Sequence, residues 1–302
     1  MSTSYHVAVI GLGAMGMGAA RSCLRAGLTT YGIDLSEQAR SQLQQAGAAA
    51  VMADARPLAE TLDAVLLLVV NATQVRRILL GEEGLARHLK PGTAIMVSST
   101  IAAEEASSLA AELAQLGLPM LDAPVSGGAI KADAGEMTVM AAGSDAAFDK
   151  LAPVLDAVAG KLYRVGSEPG QGSTVKIIHQ LLAGVHIAVA AEAMALASRA
   201  GVPLDLMYDV VTHAAGNSWM FENRMPRVLT GDYQARSAVD IFVKDLTLVA
   251  DTAKALRFPL PLASTALNMF LSASNAGHGQ EDDSAVIKTF SGITLPGQEE
   301  RP

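Results

Sequence analysis

Two hydrophobic periodicities divide the chain. Up to about residue 142, short apolar runs alternate with stretches patterned every three to four residues. His6–Ile10, Thr29–Ile33, Ala49–Met52, Ala64–Val70, Ala94–Val97, a run from Met120 and Met137–Ala142 read as strands. The unbroken apolar run at 64–70 suits a strand buried on both faces of a parallel sheet. Helices follow the first strand as far as Ala26 and are expected at 102–116 and 145–158. The segment Gly166-Ser167-Glu168-Pro169-Gly170 reads as a hinge. Beyond it the strand pattern stops.

The stretch from Gly170 to Gly201 has no proline, opens with a Ser-Thr pair able to cap a helix and closes on Gly201 followed by Pro203. It predicts a helix of about eight turns. From Leu181 on it is apolar on nearly every face, which predicts a helix buried on all sides. The competing reading, a membrane span, is disfavoured by His186, Glu192 and Arg199. Further helices are expected at 204–214, 238–256, 262–275 and 284–290. The expected architecture is therefore α/β over residues 1–166, then a second part over 167–302 made of a long interdomain helix (about 171–200) and an all-α C-terminal domain. The tail after Ser291, ending PGQEERP, is expected to be loose.

Composition narrows the function classes. Charged residues make up only 17% and hydrophobic residues 50%, which excludes a disordered chain and suggests subunits that bury surface against one another. A net charge of -8 disfavours nucleic acid and acidic membranes as partners. The single cysteine, Cys23, cannot form an internal disulfide, and the N-terminus has no basic region or cleavage site, so a reducing, cytoplasmic setting is expected. No His, Cys and carboxylate cluster has metal-ligand spacing, so no metal is expected.

The candidate chemistry begins where the first strand ends. Gly11-Leu12-Gly13-Ala14-Met15-Gly16 joins strand to helix as a dinucleotide-binding turn does: Gly11 for the tight turn, Gly13 for backbone approach to a pyrophosphate, Gly16 for close packing. The second strand ends on Asp34, about 20 residues on, where a carboxylate would accept from the adenosine ribose. It would also repel a 2'-phosphate, and Leu35-Ser36-Glu37 supply no cation, so NAD is expected as cofactor rather than NADP. Asp34 as a plain strand-end or helix-capping residue before Glu37 is the alternative.

Asn71 and Thr100 follow strand ends and would border the cofactor; each could equally be a helix cap. Ser126-Gly127-Gly128 can aim two N–H groups and a hydroxyl at a substrate carboxylate, or be a tight turn that needs glycine. On the long helix Lys176, His179 and Gln180 fall at i, i+3 and i+4 and share a face. Asn217 and Ser218, beside the only Trp, and Gln180 are candidates for binding substrate hydroxyls. Lys244-Asp245, in an apolar helix, read as a solvated pair when taken alone.

Together VIGLGAMG at 9–16, SSTI at 98–101, DAPVSGG at 122–128, GQGSTVK at 170–176 and KDL at 244–246 resemble the β-hydroxyacid dehydrogenase family. The resemblance runs from about Tyr5 to Phe290. It implies a Rossmann-type N-terminal domain, a long interdomain helix, a helical C-terminal domain and association into homodimers or homotetramers. It also implies that Lys176 is the catalytic acid/base, that Ser126, Gly127 and Gly128 bind the substrate carboxylate, and that Lys244 contacts the cofactor near the nicotinamide. Many members carry two asparagines where this chain has His179 and Gln180. Together with AAGNSWMFENR at 214–224, that departure resembles a branch acting on four-carbon sugar acids.

The expected reaction oxidises the C2 hydroxyl of a small polyhydroxy acid to a 2-oxo acid. Lys176 must be neutral to take the proton, so its ordinary pKa near ~10.4 has to fall. Oxidation should therefore speed up as pH rises. His179 is the rival base, a residue that binds or shapes the substrate pocket, or a buried structural histidine. Oxidation of 3-hydroxyisobutyrate, reduction of small semialdehydes, and silent nucleotide binding are the competing functions.

Overall fold

The computed structural model describes residues 4–296 and divides into two compact units, one up to Lys176 and one from Ile177. The first alternates strand and helix: β1 (His6–Ile10), α1 (Ala14–Arg25), β2 (Thr29–Ile33), α2 (Glu37–Gln45), β3 (Ala50–Met52), β4 (Ala64–Leu67), α3 (Ala72–Leu80), β5 (Ala94–Val97), α4 (Ala103–Gln115), β6 (Met120–Asp122), β7 (Val125–Ser126), α5 (Gly128–Ala134), β8 (Met137–Ala142), α6 (Asp145–Val158) and β9 (Ala159–Gly166). One sheet in the order β3-β2-β1-β4-β5-β6-β8-β7 carries them, with β9 paired to β8. Strands β3 to β6 are parallel along that path; β8 runs antiparallel to β6 and β7. Strand order reverses between β1 and β4, the switch point where doubly wound sheets bind ligands.

Alternation along each strand makes two cores. Val7, Val9, Leu66 and Met96 face one, with Met17 and Phe148; Ala8, Ile10, Val65, Leu67 and Ile95 face the other, with Val75 and Leu109. Burial of both faces is why these strands read as unbroken apolar runs. The fourth strand ends at Leu67, short of the expected Val70. There the backbone leaves the ladder, and the Val70 N–H donates to Gln74 Oε1 instead, at 2.8 Å. Strand β9 was not expected: it lies on the sheet edge with Lys161, Tyr163 and Arg164 exposed, so it lacks an apolar signature.

Helix α7 (Gln171–Arg199) spans 29 residues, about 43 Å at ~1.5 Å per residue. Its first turn belongs to the first unit, so the division falls at Lys176 rather than at the hinge expected near residue 166. The reason is Asp122 at the end of β6. Its carboxylate accepts from the N–H groups of Gly170 and Ser173, both at 2.8 Å, and from Ser173 Oγ at 2.7 Å. A side chain at Gly172 would meet the carbonyl oxygen of Asp122 at 2.4 Å, so the helix can lie this close only with glycine there.

The second unit is helical: the remainder of α7, then α8 (Leu204–Thr212), α9 (Trp219–Thr230), α10 (Val239–Ala255), α11 (Pro261–Ala273), a π turn at Ser274–His278 and a 3-10 segment at Asp283–Thr289. Ile187, Met194, Phe221, Leu246 and Ile287 form its core, with Phe242 and Phe270 stacked at 5.2 Å between centroids. Two expectations are corrected. Helix α7 is not buried on all sides: Val175, Ile178, Leu182, Val189 and Leu196 form an exposed apolar stripe at helical spacing. It is long and apolar enough to cross a membrane, but half of its most apolar window is buried within the protein. The tail after Ser291 is not loose up to residue 296, because Leu295 is buried and Thr294 exchanges hydrogen bonds with Ser198. Residues 297–302 lie outside the described residues.

Candidate functional site

The turn between β1 and α1 is shaped for a diphosphate. A side chain at Gly16 would lie 1.7 Å from the carbonyl oxygen of Gly11, so only glycine lets the helix start this close to the strand. Gly13, by contrast, faces open space, with no atom within 4 Å of where a Cβ would be. It stands at the N-cap of α1 without a side-chain cap, so no side chain occupies the first N–H groups of the helix. Open backbone donors at a helix N-terminus suit a pyrophosphate, and Met15 lies in that first turn. On this geometry a dinucleotide fits.

Asp34, just past β2, accepts from Leu12 N at 2.6 Å and from Ser36 N at 2.7 Å. The capping residue of α2 is Ser36, whose side chain accepts from Ala39 N, so Asp34 is not the cap. The carboxylate ties the glycine turn to the end of β2, at the place where a ribose would be met. Sequence reasoning passed over Arg40, which donates to the carbonyl oxygens of Asp34 (2.6 Å) and Leu35 (2.9 Å). Its position one helical turn beyond Ser36 was the available signal.

The two open capping questions resolve differently. Asn71 caps α3, its side chain accepting from Gln74 N at 2.9 Å. The SSTI segment caps nothing, because the N-cap of α4 is Ala102. Thr100 lies between β5 and that helix, and the buried hydroxyls of Ser98 and Ser99 have no protein partner. Buried hydroxyls beyond the carboxyl end of a parallel strand fit a ligand.

Ser126 ends β7, and Gly127 and Gly128 have φ of 133° and 70°, so the turn does require glycine and presents successive N–H groups on a bent backbone. Lys176 is buried, at 6% exposure, in the second turn of α7. Next on the same helix face, His179 is exposed and Gln180 is buried at 7%. Gln180 Nε2 donates to Asp245 Oδ2 at 2.5 Å, and its Oε1 lies 3.0 Å from His179 Nδ1. Lys244 Nζ pairs with Asp245 Oδ1 at 2.6 Å, and Asp245 is 3% exposed, so this pair is not the solvated feature that sequence alone suggests. Ser218 caps α9 through Phe221 N at 3.1 Å. Asn217 donates weakly to Glu222 at 3.5 Å, and its buried Oδ1 has no partner. Among the described residues no group of three or more metal-binding side chains comes together.

A doubly wound sheet with this turn at its switch point defines a dinucleotide-binding protein. Residues 6–166 match the NAD binding domain of 6-phosphogluconate dehydrogenase, and residues 170–290 match the NAD-binding segment of NADP-dependent 3-hydroxyisobutyrate dehydrogenase. The chain belongs to the β-hydroxyacid dehydrogenase family, whose reaction is NAD-dependent oxidation of a small hydroxy acid. It is 73% identical to an L-threonate dehydrogenase of Escherichia coli, over 98% of each chain. It is 69% identical to one of Pectobacterium atrosepticum, over 100% of this chain and 99% of the other. The crystal structure of a 3-hydroxyisobutyrate dehydrogenase from Salmonella typhimurium superposes with a TM-score of 0.92 at 70% identity, covering 95% of this chain and 100% of that one.

Proposed function

We propose that the chain oxidises the C2 hydroxyl of L-threonate, giving the 2-oxo acid, with Lys176 as general base. The observation that carries this reading is the burial of Lys176 on α7, one turn before a His-Gln pair in place of two asparagines. The names of relatives at 73% and 69% identity support the same substrate. NAD, when bound, supplies the acceptor for the hydride that leaves C2. Gly11, Gly13, Met15 and Gly16 hold its pyrophosphate, Asp34 its ribose, and Asn71, Thr100 and Lys244 contact its remainder. Ser126, Gly127 and Gly128 grip the substrate carboxylate and so fix C2. The Lys176 amine takes the hydroxyl proton as the carbonyl forms. Asn217, with an unpartnered buried oxygen, and Ser218 serve the far end of the acid. The enzyme works in the cytoplasm as a homodimer or homotetramer, in which the apolar stripe of α7 is covered.

A second reading, 3-hydroxyisobutyrate oxidation, is favoured by the likeness to the Salmonella 3-hydroxyisobutyrate dehydrogenase. Initial NADH formation with L-threonate, D-threonate, D-erythronate, 3-hydroxyisobutyrate and D-glycerate separates the two. L-threonate is expected to give the highest kcat/KM, and Lys176→Ala to lower kcat by at least about 10²-fold. Preference for 3-hydroxyisobutyrate sinks the sugar-acid reading, and full activity without Lys176 removes it as the base.

A further inference from the structure

Helix α5 leaves the Ser126-Gly127-Gly128 turn with a cation folded back over it. Lys131 lies four residues beyond Gly127, and side chains on a helix tilt toward its first turn. Where a side chain at Gly127 would begin, Lys131 Cβ and Cδ already stand at 2.8 and 2.9 Å, so the lysine stem fills the space that glycine leaves. Two covalent bonds separate Cδ from Nζ, so the ammonium cannot lie further than about 5.5 Å from that point. Gly128 faces open space, with no atom within 4 Å of where a Cβ would be. Among the described residues Lys131 enters no ion pair; Asp133, the one carboxylate of α5, pairs with Arg21 at 3.3 Å. Nor can α5 turn about its own axis. Ser22 Oγ on α1 donates to the carbonyl oxygen of Ala132 at 3.0 Å, Arg25 donates to that of Asp133, and a side chain at Gly18 would meet Asp133 N at 2.5 Å.

We propose that the Lys131 ammonium binds the substrate carboxylate together with the Ser126-Gly127-Gly128 turn and is the cation of that grip. This rests on the reading of the turn as the carboxylate site and deepens it. The N–H groups of the turn are neutral donors, and Lys131 supplies the charge that opposes the anion. The chain as a whole carries a net charge of -8, so a small acid approaches against an unfavourable field, and a cation at the turn draws it in. Because Lys131 is exposed, water and salt screen it, which keeps its effect modest and makes it fall with ionic strength. The residue thus selects for the anionic end of the acid and is indifferent to what the chain carries beyond C2.

Steady-state kinetics of the full-length protein test this, with L-threonate or whichever of the candidate acids it uses best, since all of them carry the carboxylate. Lys131→Met keeps a stem over Gly127 and removes the charge. It should raise KM for the acid about three- to tenfold, with kcat and KM for NAD within about twofold of the native values. Lys131→Glu should raise KM for the acid further, and Lys131→Arg should hold it within about twofold of native. From low salt to about 0.3 M the native kcat/KM should fall, and that of Lys131→Met should fall less. A purely structural role would move neither the salt dependence nor the order Arg, Met, Glu. Equal KM for the acid in the native, Met and Glu forms overturns the proposal, and a rise confined to KM for NAD overturns it by giving the cation to the cofactor's phosphates. Ser126→Ala, measured alongside, separates this from failure of the underlying reading. If it raises KM for the acid while the Lys131 variants are silent, the turn grips the carboxylate without Lys131; if all are silent, the carboxylate lies elsewhere and both readings fall.

Discussion

The two units carry buried charge in different places. In the first, strand ladders satisfy the backbone, and its buried charges, Asp122 and Lys176, sit where α7 begins or in its second turn. The hydroxyls of Ser98 and Ser99 are left without partners. In the second unit Gln180, Arg224, Asp245, Asp282, Asp283 and Ser284 are all buried and all held in hydrogen-bonded or ion-paired contacts. A sheet fixes its elements through main-chain hydrogen bonds. Packed helices have no such ladder, and here side-chain ion pairs set their register. Buried charge in the helical unit is therefore architecture, whereas the unpartnered groups of either unit, the hydroxyls of Ser98 and Ser99 and the Oδ1 of Asn217, are open to a ligand.

The largest test of this contrast is Arg224. Its guanidinium donates to both oxygens of Asp283 at 2.7 and 2.9 Å, and Asp283 is fully buried. Burial pushes the Asp283 carboxyl above its usual range even with Arg224 beside it. Arg224→Ala should cost about 3–5 kcal/mol, because it strands that carboxylate. Denaturant unfolding monitored at Trp219, at the start of α9, reads the loss. The pair Arg224→Met with Asp283→Leu should recover most of it. A loss below about 1 kcal/mol for the single change would mean that apolar packing alone orders these helices.

Asp122 is the counterpart in the first unit. Asp122→Ala leaves two N–H groups and a hydroxyl unbonded and should cost about 2–3 kcal/mol. Asp122→Asn keeps an acceptor for both N–H groups and should cost under about 1 kcal/mol. Burial raises the Asp122 carboxyl despite the hydrogen bonds it accepts from Ser173 and Gly170. Its ionisation is thus harder in the folded than in the unfolded chain, and the stability it lends at acid pH is lost as pH rises through the folded value. Plotted against pH, the stability of the native protein minus that of Asp122→Asn should fall from acid to neutral. A flat difference would show that the hydrogen bonds offset the burial completely.

The same contrast explains what could be read from the chain. The strands of the first unit were legible because both faces are buried, and the glycine turn because Gly11 and Gly16 each answer a steric demand while Gly13 leaves the backbone open to a ligand. Strand β9 was not, because an edge strand with Lys161, Tyr163 and Arg164 outward carries no apolar pattern. In the second unit α9 was missed. Pro226 lies inside it, and the buried Arg224 falls where periodicity calls for an apolar residue. Lys244-Asp245 read as a solvated pair for the same reason: a sequence does not reveal that Gln180, 65 residues away, closes over the carboxylate. Of the candidate site, the glycine turn, Asp34 and Lys176 could be found by motif and spacing. Arg40 was passed over although its spacing from Ser36 pointed to it, and the contact of Gln180 with Asp245 needed coordinates.

The smallest expected effect on stability is the sharpest probe of the contrast. Ser98 and Ser99 follow β5, 4% and 3% exposed, with hydroxyls that bond to nothing in the protein. If those hydroxyls served the fold, Ser98→Ala and Ser99→Ala would each cost the ~1 kcal/mol of a lost hydrogen bond. If they await a ligand, deletion removes only an unsatisfied group. Stability without cofactor should then stay within about 0.5 kcal/mol or rise slightly. With NAD the order inverts: at least one of the two substitutions should raise KM for NAD by about three- to tenfold, through one lost hydrogen bond of ~0.5–1.5 kcal/mol. Thermal unfolding with and without saturating NAD reads both quantities on one sample, since a weakened contact also shrinks the ligand-induced rise in Tm. Loss of stability without loss of NAD affinity would place the hydroxyls with the architecture after all, and would make the α/β unit no different from the helical one.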